Sequence, residues 1–149
     1  MSRFPLPIEN YMSSVVVTID QEQPLSEGIR LMRLHEIRHL PVLTHGRVTG
    51  LLSQRDVYLA SSIDDRTDPA SILVKEVMIA DPYVVDPEEP VDSVASEMVR
   101  RRIGSAIVAH DGKLHGLFTS TDGLLALAAF VEDDRVPEVA EAETGGETP

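Results

Sequence analysis

At 149 residues with 42% apolar content, the chain has room for one compact domain or for two small halves sharing a core, and its lack of cysteine excludes disulfides and thiolate metal sites and fits a reducing compartment. A net charge of −12 argues against nonspecific nucleic-acid binding, which rests on a basic face. The longest apolar run, residues 124 to 131, is far short of the ~20 residues that span a bilayer, and the start of the chain lacks a signal-peptide pattern, so the sequence reads as soluble and cytoplasmic, with no membrane partner.

After a Pro-punctuated start, residues 8 to 12 read as a short helical lead-in. The β-branched stretch from Val15 to Ile19 predicts a strand. Residues 20 to 24 supply turn punctuation and a proline suited to the first turn of a helix. Leu25, Ile29 and Met32 then recur at three-to-four spacing, with Leu31, Leu34 and Ile37 nearby, which predicts an amphipathic helix. That helix should stop near Glu36, because Leu40-Pro41 opens a strand and the residue before a proline resists helical geometry. Residues 44 to 47 turn the chain, Val48 to Leu52 return as a hairpin partner, and Ser53 starts a second helix through Ala60. The unit is βαββα, followed by a polar linker at residues 61 to 73.

The unit then recurs. Laying residues 8 to 60 on 74 to 126 without a gap gives 13 identities in 53 positions, at turns, helix starts and core positions. Met12 and Met78, Pro24 and Pro90, Gly46 and Gly112, Gly50 and Gly116, and Asp56 and Asp122 all match at one 66-residue offset, which marks an internal duplication. A half of this size buries little surface alone, so we expect an α/β (α+β) fold in which two βαββα repeats, residues 8–60 and 74–130, pack sheet to sheet about a pseudo-twofold axis. Clefts between them would come in pairs. Residues 131–149 are acidic and poor in core-forming side chains, and are expected to be a disordered or loosely docked tail.

Each copy ends its hairpin on a hydroxyl followed three residues later by an Asp: Ser53 with Asp56, and Thr119 with Asp122. One reading is a helix capping box. The other is a carboxylate beside a hydroxyl that grips the vicinal diol of a ribose, with free N–H groups of the helix start near a phosphate. The two are compatible.

Met12, the strand through Ile19, Pro24, Met32, the run from Ile37 to Val42, Gly46, Gly50 and the run from Ser53 to Asp56 resemble a cystathionine-β-synthase (CBS) domain, and residues 74 to 126 resemble a second. The resemblance implies a tandem CBS pair, or Bateman module: a regulatory protein that binds AMP, ADP or ATP in interdomain clefts, forms a homodimer, signals to a protein partner, and needs neither cofactor nor catalytic group. It places Ser53 and Asp56 on the ribose of a first site, with Thr18, Ile19, His39, Leu40 and Pro41 around the base. It places Thr119 and Asp122 in a second, with Val84, Val85, Ser105, Ala106 and Ile107. Arg38, His39 and Arg55 offer a phosphate more positive charge in the first, where the second copy has Gly104, Ser105 and Thr121. Arg100, Arg101, Arg102 and Lys113 could reach in from the other half.

Two other functions compete. One is a structural or dimerisation module whose clefts stay empty. The other is a metalloenzyme, since residues 35 to 39 spell HExxH, the pattern in which two His one helical turn apart hold Zn. A helix ending near Glu36 would aim His39 away from His35, and the second copy carries no such ligands.

Overall fold

The computed structural model describes residues 6–14, 16–63 and 68–147, with the backbone alone at Ile63 and residues 135–147. Two three-stranded sheets carry the architecture. In the first, β1 (Ile19–Asp20) runs parallel to β2 (His39–Thr44), which pairs antiparallel with β3 (Arg47–Ser53), and α1 (Leu25–His35) and α2 (Gln54–Ile63) complete the repeat. After α3 (Val74–Val77), the second repeats the pattern with β4 (Val84–Val85), α4 (Val91–Arg101), β5 (Ser105–His110), β6 (Lys113–Thr119) and α5 (Ser120–Glu147). The βαββα order and the α+β class agree with the sequence. The strand expected from Val15 to Ile19 is shorter: only Ile19 and Asp20 pair, with Val42 and Leu43, and Val15 lies outside the described residues.

The duplication extends to backbone detail. Helix α1 ends where Glu36 turns left-handed (φ 52°), and α4 ends the same way at Arg102 (φ 57°). Both hairpins turn through a residue and a glycine at positive φ, His45-Gly46 and Asp111-Gly112, as a two-residue type I′ connection requires. Both carry a register shift, after Val42 and after Val108.

The repeats exchange their lead-ins. Ile8 donates its N–H to the Glu89 carbonyl at 2.7 Å, and the Leu6 carbonyl accepts the Val91 N–H that opens α4, also at 2.7 Å. Sixty-six residues on, Val74 donates to the Gln23 carbonyl at 2.8 Å, and the Ile72 carbonyl accepts the Leu25 N–H that opens α1 at 2.7 Å. Ile8 is therefore buried with Val85, Val94, Met98 and Phe118 in the second core, and Val74 with Leu25, Met32, Leu40 and Leu52 in the first. Residues 8–12 and 74–78 begin the repeats in sequence but pack in the opposite halves. Separating the halves would thus strip a buried residue from each core.

The crossing segments seat against glycines. Residues Leu51 and Ile79 exchange backbone hydrogen bonds of 3.0 and 2.8 Å, and Ser13 and Leu117 do so at 2.9 and 3.0 Å. A Cβ on Gly50 would lie 2.6 Å from Met78 Sδ, and one on Gly116 2.5 Å from Met12 Sδ. This close approach accounts for the matched Met and Gly pairs. Between the sheets, Leu51, Ile107, Ala109 and Leu117 form a third buried cluster.

Helix α5 continues through the acidic stretch to Glu147, where the sequence led us to expect disorder. The stretch holds five Glu and two Ala, which favour a helix, together with Pro137, Gly145 and Gly146, which do not, so propensity alone gives no account of that length. No helix among the described residues is long and apolar enough to cross a membrane.

Candidate functional site

Strand β3 runs directly into α2, so Ser53 stands at the N-cap and Asp56 at the third helical position. Ser53 Oγ accepts the Asp56 N–H at 3.1 Å and donates to Asp56 Oδ2 at 2.7 Å. In the second copy, Asp122 Oδ2 accepts the Thr119 N–H at 2.9 Å and the Thr119 hydroxyl at 3.2 Å. Each copy thus makes one half of a capping box, which fixes the carboxylate beside the hydroxyl.

The helix starts offer a phosphate less than expected. The Gln54 N–H is taken by the Arg38 carbonyl at 2.8 Å, and the Ser120 N–H by the Gly104 carbonyl at 3.1 Å. With the Asp56 N–H already on Ser53, two first-turn donors of α2 are occupied. An anion there must rely mainly on side chains.

Two clefts open between the repeats, and each draws its walls from both. The Ser53 cleft, about 860 Å³, brings Ser53, Arg55, Asp56, Tyr58 and Leu59 against Ile79, Asp81 to Tyr83, and Arg101 to Ser105. The Thr119 cleft, about 650 Å³, sets Thr119 and Asp122 against Ser13, Val16, Val17 and Glu36 to His39. Arg38, His39 and Gly104 line both.

This geometry reassigns part of the expected lining. Thr18, Ile19, Leu40 and Pro41 do not line the Ser53 cleft: Ile19 and Leu40 belong to the first core, and Pro41 is buried. Ser105 faces the Ser53 cleft instead of the Thr119 cleft. Val85 and Ala106 sit in the second core, Ile107 lies between the sheets, and Val84 borders a separate smaller cavity. The physical reason is the exchange of lead-ins: the segment running alongside each hydroxyl–Asp pair comes from the other repeat. Tyr83, Ile79, Ser13 and Val17 were missed, because an offset between two copies says nothing about which copy each lead-in covers.

Positive charge concentrates in the Ser53 cleft, with Arg38, Arg55, Arg101 and Arg102 against Asp56 and Asp81. Arg101 pairs with Glu97 at 2.6 Å and lies 4.4 Å from the centre of the Tyr83 ring. Arg38, Arg55 and Arg102 make no ion pair among the described residues. Lys113 and Arg100 stand outside both clefts.

His39 is the titrating group shared by the clefts. Burial lowers its pKa, Arg38 adds to that, and Asp56 opposes. The folded state therefore keeps the imidazole neutral where the unfolded chain begins to protonate, at about pH 6.5. Its contribution is present above that pH and is lost as pH falls toward the depressed folded value. Denaturant melts of His39→Gln should accordingly show a smaller loss of stability between pH 7.5 and 5.5 than the parent; equal losses would remove His39 as a source.

The HExxH geometry is not met: His35 ends α1, Glu36 is left-handed and His39 lies on β2. Among the described residues no group of His, Asp or Glu could hold a metal ion.

Fold and site together define a tandem α/β domain pair with two interdomain clefts. The CBS domain profile matches both repeats, at residues 8–62 and 74–129, and the chain belongs to the CBS domain family. The inosine-5'-monophosphate dehydrogenase of Korarchaeum cryptofilum is 35% identical over 115 residues, 76% of this chain and 23% of that protein. A solved structure from Vibrio cholerae, named for acetoin utilization (AcuB), superposes with a TM-score of 0.79 at 25% identity, covering 89% of this chain and 97% of that one. The CBS domain pair of protein MJ0100, solved in complex with 5'-methylthioadenosine and S-adenosyl-L-methionine, gives a TM-score of 0.73 at 24% identity, covering 81% and 98%. The chain spans between 22% and 43% of the length of the first three curated relatives it matches.

Proposed function

We propose that this chain is a regulatory CBS pair that binds an adenine nucleotide of the AMP, ADP or ATP type in the Ser53 cleft and signals through binding, without catalysis. The observation that carries this reading is one cleft holding both halves of a nucleotide's chemistry. Among the described residues, Asp56 keeps Oδ1 without a donor, ready for a diol, and Arg38, Arg55 and Arg102 are in no ion pair, which leaves them for phosphate. The adenosyl compounds bound by the MJ0100 pair support the ligand class.

Calorimetry with AMP, ADP, ATP, NAD and S-adenosylmethionine tests it. Binding of none of them to folded protein would end the nucleotide reading and leave a dimerisation module.

Exposed apolar side chains support self-association in either case. Tyr58 and Leu59 on α2 are 64% and 53% exposed, and their counterparts Leu124 and Leu125 on α5 are 67% and 64% exposed. Such repeated apolar surface is unusual on an isolated small domain. Light scattering should report twice the 16.3 kDa chain mass; the single-chain mass in dilute solution would rule out the homodimer. A regulated protein partner is the remaining route for output.

A further inference from the structure

We propose that Ser13 is a built-in occupant of the second diol-binding position, which engages Asp122 from within the chain and makes the Thr119 cleft the weaker nucleotide site. This rests on the nucleotide reading above and adds a residue that sets which cleft fills.

The two carboxylates are not equally free. Asp122 Oδ1 accepts the Ser13 hydroxyl at 3.1 Å, while Oδ2 accepts the Thr119 N–H at 2.9 Å and the Thr119 hydroxyl at 3.2 Å. Asp122 is 9% exposed. Asp56, by contrast, accepts only the Ser53 hydroxyl, at 2.7 Å, among the described residues. A carboxylate offers about four lone-pair sites, so three of those on Asp122 are filled before a ligand arrives. A ribose diol brings two hydroxyl donors and must displace one of them.

The difference traces to one side chain. The residue 66 positions after Ser13 is Ile79, and both pair with the strand in the same way, Ser13 with Leu117 and Ile79 with Leu51. The backbone slot is therefore equivalent, and only one copy carries a hydroxyl in it. Ser13 is held there by backbone bonds to Leu117 of 2.9 and 3.0 Å, which an alanine would keep. Ser13→Ala thus removes the internal donor while leaving the segment in place.

Calorimetry with AMP on the full chain tests this with the parent, Ser13→Ala, Ser13→Thr, Asp56→Ala and the Asp56→Ala/Ser13→Ala double variant, each checked for an unchanged melting temperature. The parent should bind predominantly one AMP, weakened roughly ten- to hundredfold by Asp56→Ala. Ser13→Ala should bring out a second site, and the double variant should bind AMP roughly tenfold or more tighter than Asp56→Ala alone, the scale of a hydrogen bond to a charged group. Ser13→Thr, which restores the hydroxyl, should behave as the parent. If AMP binds the parent and is weakened by Asp56→Ala but Ser13→Ala changes nothing, this inference fails while the nucleotide reading stands. AMP binding to none of the variants overturns both.

Discussion

Asp56→Ala should weaken AMP and ATP binding by roughly ten- to hundredfold with little loss of fold stability. The magnitude follows from losing a hydrogen bond to a charged partner, about 1.5 to 3 kcal/mol. Retention of the fold follows from which half of the cap remains: the bond from the Asp56 N–H to Ser53 Oγ is a backbone donation that alanine preserves. Asp122→Ala is a different lesion. It removes the acceptor of the Thr119 N–H and of the Ser13 and Thr119 hydroxyls, so it should lower stability by about 0.5 to 2 kcal/mol, the range of a lost cap. Its effect on affinity should be smaller than that of Asp56→Ala, because the arginines gather in the Ser53 cleft. Calorimetry paired with thermal melts separates the two effects. Parent-like binding by both folded variants would leave the capping role alone; loss only with Asp122→Ala would move the nucleotide to the other cleft.

Gly50→Ala should cost the fold about 1 to 3 kcal/mol, the range for forcing atoms into a packed core. The added methyl would meet Met78 Sδ at 2.6 Å and the Ile79 carbonyl oxygen at 2.8 Å. The Met side chain can turn aside, but the carbonyl is held by its bond from the Leu51 N–H. Gly116→Ala should cost as much, since its methyl would lie 2.5 Å from Met12 Sδ and 2.6 Å from the Ser13 carbonyl oxygen. Gly123→Ala is the control: its nearest contact is Phe118 Cζ at 3.7 Å, and it lies inside α5, where alanine raises helix propensity. Denaturant midpoints should fall for the first two variants and hold or rise for the third. Equal midpoints for Gly50→Ala and the parent would mean the crossing segment does not hold the halves together as described.

Local order was legible in the sequence because its causes are local. The spacing of Leu25, Ile29 and Met32 marks a helix, and Leu40-Pro41 stops helical geometry ahead of β2. The two-residue turns at Gly46 and Gly112 need positive φ, and the hydroxyl–Asp pairs announce helix starts. The constant offset of 66 residues also disclosed the duplication and the CBS family. What only the tertiary structure decided is which lead-in covers which sheet. Gly50 and Gly116 offer nearly the same groove, and Met12 and Met78 present nearly the same side chain to it, so local composition cannot distinguish a lead-in that docks on its own repeat from one that crosses. The crossing placed Ser13 beside Asp122 and Ile79 to Tyr83 beside Asp56, and so moved Leu40, Pro41, Ala106 and Ile107 from the expected cleft walls into buried packing. Each cleft is a property of both repeats at once, because a duplicated chain carries two equivalent docking grooves and only the packed whole selects between them.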